Sequence, residues 1–99
     1  MIKELLKKVI GRPGAYFGHE YYSFKEVISL LSGYIIAQSE YSNIDERNWM
    51  SYVTDKLSHE YNIDSYMNIV DLFDLIYADK SEEEKTVLLY NILNDYSEK

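Results

Sequence analysis

Asp71 and Asp74, three residues apart, are one of the acidic pairs in this chain that could be drawn for acid–base work. On a helix they share a face, and neighbouring carboxylates can hold one proton between them. No nucleophile or pocket-forming residue accompanies them, and acids opposite an apolar stripe are ordinarily solvated, so catalysis is not expected. The only two histidines, His19 and His59, are each followed by Glu. A metal needs several converging ligands. The chain has no His-x-x-x-His spacing and no Cys, so no metal site is expected and surface histidines are the plain reading. There is no Ser-His-Asp order with a nucleophile elbow, and Gly14 and Gly18 are not followed by the Gly-Lys-Ser/Thr of a phosphate loop. No cofactor is implied.

The acids make better sense as a field. Residues 1–50 balance six Lys/Arg against six Asp/Glu, whereas residues 51–99 set four against eleven and carry the whole net charge of −7. Such a field repels nucleic acid and anionic membrane and attracts basic protein surfaces. The chain also holds eleven Tyr, a residue enriched at protein interfaces because its ring packs while its hydroxyl stays wet. The partner-binding candidates are therefore Asp64, Asp71, Asp74 and Asp79 for charge, with Tyr61, Tyr66 and Tyr77 as aromatic anchors. Tyr66 and Tyr77 also fall on an apolar face and compete for the core. The run Glu82-Glu83-Glu84 reads as first-turn acids that complement a helix dipole, and on its own it is not a site.

The elements that must position these residues read as helices. Ile2, Leu5, Leu6, Val9 and Ile10 make one stripe, ended by Gly11, Pro13 and Gly14, with an aromatic loop to Tyr22. Ser23 and Glu26 form a capping box ahead of a helix to about Ser42. That helix is apolar nearly all round (Val27, Ile28, Leu30, Leu31, Tyr34, Ile35, Ile36, Ala37), which predicts a buried, central position. Gly33 within it costs about 1 kcal/mol against Ala, a loss that close approach of a neighbouring helix would offset. A third helix starts near Ser42 or Asn43, with Asp45 and Glu46 in its first turn. It buries Trp49, Met50, Val53 and Leu57 and ends in a turn at Tyr61-Asn62-Ile63. Asp64 or Ser65 caps a fourth helix to about Ala78, with Tyr66, Ile69, Val70, Phe73, Ile76 and Tyr77 inward. Ser81 and Glu84 form a second capping box before a helix that presents Val87, Leu88, Ile92, Leu93 and Tyr96. The expectation is an all-α fold, a single compact bundle of about five helices spanning residues 1–99 as one domain. Neither a signal peptide nor a membrane span is visible, so a cytoplasmic location is expected.

The loop Arg12-Pro13-Gly14-Ala15-Tyr16-Phe17-Gly18 resembles the R-P-G-x-Y-x-G signature of a group of small helical bacterial proteins. In that group the signature lies between a short first helix and a helix with a Gly-Tyr pair, here Gly33-Tyr34. The group is similar to immunity proteins of polymorphic and contact-dependent growth-inhibition toxin systems. The match covers roughly residues 5–40. It departs at Ala15, where Met is commoner, and at Phe17, where Leu or Ile is usual. No functional residue transfers with it. The motif reads as packing, with Tyr16 and Phe17 plugging the core under the Pro13-Gly14 turn. A similar heptad occurs in gyrase-B-type ATPases, but this chain lacks their D-x-G-x-G segment and is far shorter, so nucleotide binding is not expected.

What the resemblance implies is an immunity protein that binds and neutralises a cognate toxin domain. A nuclease is the toxin class that acidity favours: its cleft must attract phosphate, so an acidic helical face can fill it. The partner would be basic, and the protein a monomer in the complex. The alternative is a small acidic regulatory or adaptor protein that binds another protein or itself.

Overall fold

A computed structural model describes residues 2–18, 21–42, 48–63 and 67–95. They form six helices: α1 (Ile2–Gly11), α2 (Pro13–Phe17), α3 (Phe24–Ser42), α4 (Asn48–Glu60), α5 (Ile69–Ile76) and α6 (Glu82–Leu93). No strand occurs among the described residues, and the fold is all-α. None of the described helices is long and apolar enough to cross a membrane.

Each helix end follows local chemistry. Pro13 opens α2, where its missing N–H has no role to lose. Gly18 closes α2 in the left-handed region, at φ 77°, and its N–H donates to the Gly14 carbonyl. Pro13–Phe17 of the loop expected between α1 and Tyr22 are thus helical. Both bonds of the Ser23–Glu26 box form, at 3.1 and 3.2 Å. So do both bonds of the Ser81–Glu84 box, at 3.1 and 3.0 Å. At the end of α4, Asn62 takes φ 54° and the Ile63 N–H reaches back to the Ser58 carbonyl. That is the six-to-one closure with Asn at the left-handed position.

α5 starts later than its sequence implied. Met67 and Asn68 are not helical, and Asn68 is the N-cap, its side chain accepting from the Asp71 N–H at 2.9 Å. The proposed caps Asp64 and Ser65, and Tyr66 with them, lie outside the described residues, as do the third helix's start at 43–47 and Tyr96.

α6 packs against α1, α3 and α4, while α3 packs against α1, α5 and α6. Trp49, Phe24 and Phe73 are the largest fully buried side chains. Phe24 and Phe73 stack with centroids 4.5 Å apart, which joins α3 to α5. α3 is not buried all round. Phe24, Val27, Ile28 and Leu31 form one covered stripe, Leu30 and Tyr34 are half-buried, and Gly33 and Ala37 are exposed. The side chains of Ile35 and Ile36 lie outside the described residues. Among the described residues nothing from another element stands within 4 Å of where a Cβ on Gly33 would go, so no described helix approaches closely there. On α6 the inward residues are Lys85, Thr86, Leu89 and Leu93, and Val87 faces solvent. The signature loop is also less buried than expected. Tyr16 is exposed, and Phe17 is half-buried and stacks on Tyr22 at 5.4 Å.

Candidate partner-binding face

The acidic candidates assemble around α5, whose outward side carries Asp71, Asp74 and an exposed leucine, Leu75. Asp79 follows in the exposed turn that leads to α6. Of the sequence candidates, Asp64 and Tyr66 lie outside the described residues. The other five split into acids on α5 and the following turn and a tyrosine pair at the helix ends.

Two of the acids are held by internal partners. The Asn68 side-chain amide donates to Asp71 Oδ2 at 2.9 Å, so the carboxylate is fixed while the same asparagine caps the helix. Asp71 lies in the first turn of α5, where the helix dipole favours a negative charge. Asp74 Oδ1 accepts from Lys85 Nζ at 2.8 Å. The lysine's second partner is Glu82 Oε2, also at 2.8 Å, and Glu82 Oε1 accepts the Phe24 N–H at 2.9 Å. One carboxylate on α6 thus caps the start of α3 and anchors the lysine that steadies Asp74.

The electrostatics follow from that geometry. Lys85 is 8% exposed by side chain, but it is roofed by Asp74 and Glu82 at 56% and 43% exposure, so its ammonium sits at the edge of the core. The bond to Asp74 and then that to Glu82 push its pKa above the ordinary lysine value. Glu82 is drawn below the usual carboxylate value, first by the Lys85 bond and then by the Phe24 N–H. Glu84 is also lowered, by its bonds to Ser81 in the capping box. Sequence reading missed Lys85 as a structural ion. The Glu82–Lys85 spacing of three was visible, but its link to Asp74 is made only by packing α6 against α5.

The tyrosines behave differently from the acids. Tyr77 caps the end of α5, half-buried, with its ring edge-on to Tyr61 at 6.4 Å and 5.3 Å from Phe73. Burial, then the Tyr61 hydroxyl, pushes the Tyr77 phenol up to about 12. Tyr61 is exposed. The pair therefore offers one wet ring resting on one packed ring.

The second half's described cations already have acidic neighbours. Lys56 lies 3.6 Å from Asp95, Lys85 is bound as above, and Lys80 is close enough to help lower Glu84. Asp71, Asp79 and Glu83 are exposed and have no ion pair among the described residues.

Beside the acids runs a groove of about 640 Å³ between α3, α4 and the start of α5. Ile28, Met50, Met67 and Val70 line it, with Asp71 and Asp74 on its α5 lip and Lys25 on its α3 wall. Among the described residues, no group of three or more His, Cys, Asp or Glu is placed to hold a metal ion. Comparison with protein-family models, with curated proteins and with solved structures found no match in any of the three.

Proposed function

We propose that this chain is an immunity protein: a cytoplasmic, non-enzymatic inhibitor that covers the basic cleft of a cognate toxin domain, with a nuclease as the toxin class. The observation that carries the reading is the arrangement of exposed acids along α5, the turn after it and the first turn of α6, namely Asp71, Asp74, Asp79, Glu83 and Glu84. The second half's described cations, Lys56, Lys80 and Lys85, have acidic neighbours, and acids outnumber cations eleven to four in that half, so its field is negative. A partner built to bind phosphate presents the opposite field. Such complementarity raises association rates and sets register more than it adds raw affinity. The R-P-G-x-Y-x-G resemblance supports the same class independently of the charge.

The test pairs the protein with a candidate toxin domain, sought first in the gene next to its own. Its association rate is expected to fall steeply with rising salt, because exposed charges are screened beyond about 8 Å at physiological ionic strength. Reversing Asp71 and Asp79 together should slow association and weaken protection of cells. Asp74 is unsuitable for this purpose, since its reversal would also set a second cation against Lys85. The control reverses Lys3 and Lys7 in the balanced half. Equal, salt-insensitive association for all three proteins would refute the acidic face as the binding surface.

A further inference from the structure

We infer that the groove between α3, α4 and the start of α5 is the seat of one partner segment, an apolar side chain flanked by Arg or Lys. The inference deepens the proposed function and rests on it for the source of that segment.

The lining decides the chemistry. Ile28 and Ile69 are buried beneath the groove, and the half-buried Met50, Met67 and Val70 supply an apolar surface above them. Methionine is unbranched and polarizable, so two of them make a surface that re-packs around an incoming side chain. The size, about 640 Å³, falls within the range of ordinary ligand pockets.

Charge decides the direction. The α5 lip carries Asp71 and Asp74, each with one carboxylate oxygen already bonded inside the protein. Those bonds hold the carboxylates in place, which reduces the side-chain ordering that binding would require. Among the described residues, Asp71 Oδ1 and Asp74 Oδ2 have no hydrogen-bond partner. Lys25 stands on the α3 wall. A basic side chain is therefore drawn to the α5 side and repelled from the α3 side, while the apolar side chain fills the space between. Apolar side chains and carboxylates lining one groove suit a partner segment that carries both apolar and basic side chains.

The probe is a synthetic amphipathic helical peptide with a row of leucines flanked by arginines. One control peptide replaces the leucines by serine, and another replaces the arginines by glutamate. Amide chemical shifts are followed by NMR on the full chain, and affinities by fluorescence anisotropy. The expected result is shift changes concentrated at Met50, Thr54, Met67 and Val70. Affinity should fall by roughly tenfold for the serine peptide and for Ser51→Trp, which fills the groove from an exposed position on α4. Asp71→Asn keeps an oxygen for Asn68 and should weaken binding by a smaller, salt-dependent factor. Equal affinity for the leucine and serine peptides, shifts confined to α6 and the 77–80 turn, or no binding would each overturn the inference. Two further outcomes separate it from the immunity reading. Ser51→Trp that still protects cells from the toxin overturns the groove and leaves immunity standing. Wild type that takes the peptide in the groove yet gives no protection supports the groove and refutes immunity.

Discussion

Replacing Glu82 by alanine tests how α3 and α6 are joined. Two interactions are lost at once. The Phe24 N–H loses a charged acceptor at 2.9 Å, and Lys85 loses one of its two carboxylates at 2.8 Å. A hydrogen bond to a charged group contributes about 1.5–3 kcal/mol. The Glu82 side chain is 43% exposed, so water competes and the lower end of that range applies. The ion pair adds about 0.5–1 kcal/mol at this exposure. The expected loss is therefore about 2–2.5 kcal/mol, a large share of the roughly 5–15 kcal/mol of a small domain. Urea unfolding followed by circular dichroism should show a midpoint lower by about 1–2 M at unchanged slope. Glu82→Gln keeps an oxygen for Phe24 and should lose about half as much. Glu83→Ala, one residue along and exposed, should stay within about 0.5 kcal/mol. The pH dependence has a definite sign. The Glu82 pKa is lowered in the fold from 4.5, so its contribution is present above that value and fades as pH falls through the folded pKa. The gap between wild type and Glu82→Ala should therefore close in acid. A Glu82→Ala midpoint equal to that of Glu83→Ala, or a gap that persists well below the folded pKa, would refute the reasoning.

Lys85→Met should be far milder than its burial suggests, within about 1 kcal/mol, because it leaves two half-exposed acids that water can solvate. Asp74→Ala should cost more, and a double-mutant cycle at 74 and 85 measures the coupling. Gly33→Ala should raise stability by about 0.5–1 kcal/mol in the same urea assay, since the site is exposed, helical and open. Asn62→Ala should lower stability by about 1 kcal/mol and Asn62→Gly should not, because the position holds φ 54°. In an ultraviolet titration Tyr77 should ionise near 12, above the ordinary 10.0. As the phenol favours its neutral form in the fold, stability should fall as pH rises between those values, and Tyr77→Phe should remove that part of the decline.

Five of the helices and the caps of α3 and α6 were legible in the sequence because they depend on short-range chemistry, whereas α2 read as loop and the Asn68 cap of α5 went unseen. Ser23 with Glu26 and Ser81 with Glu84 satisfy orphan donors within three residues, and Asn62 tolerates a left-handed backbone; none needs a distant partner. The α4 stripe of Trp49, Val53 and Leu57 was equally plain, since each lies one turn from the next. The concentration of acid in the second half is a property of composition alone. Rotation was the hidden quantity. α6 offers Val87, Leu88, Leu89, Ile92 and Leu93, a band too wide to say which edge faces in. The bond from Glu82 to Phe24 and the reach of Lys85 to Asp74 turn α6 so that Lys85, Thr86, Leu89 and Leu93 point inward and Val87 outward. α5 was plainer: Ile69 and Phe73 of its expected inward stripe are buried, Val70, Ile76 and Tyr77 are half-buried, and what the stripe lacked is Leu72, which is fully buried, while Leu75 is left exposed beside the acids. Asp71 and Asp74 looked alike along the chain. Only the tertiary structure ties one to a helix cap and the other to a lysine eleven residues away, and only the packing of three helices creates the groove at their side.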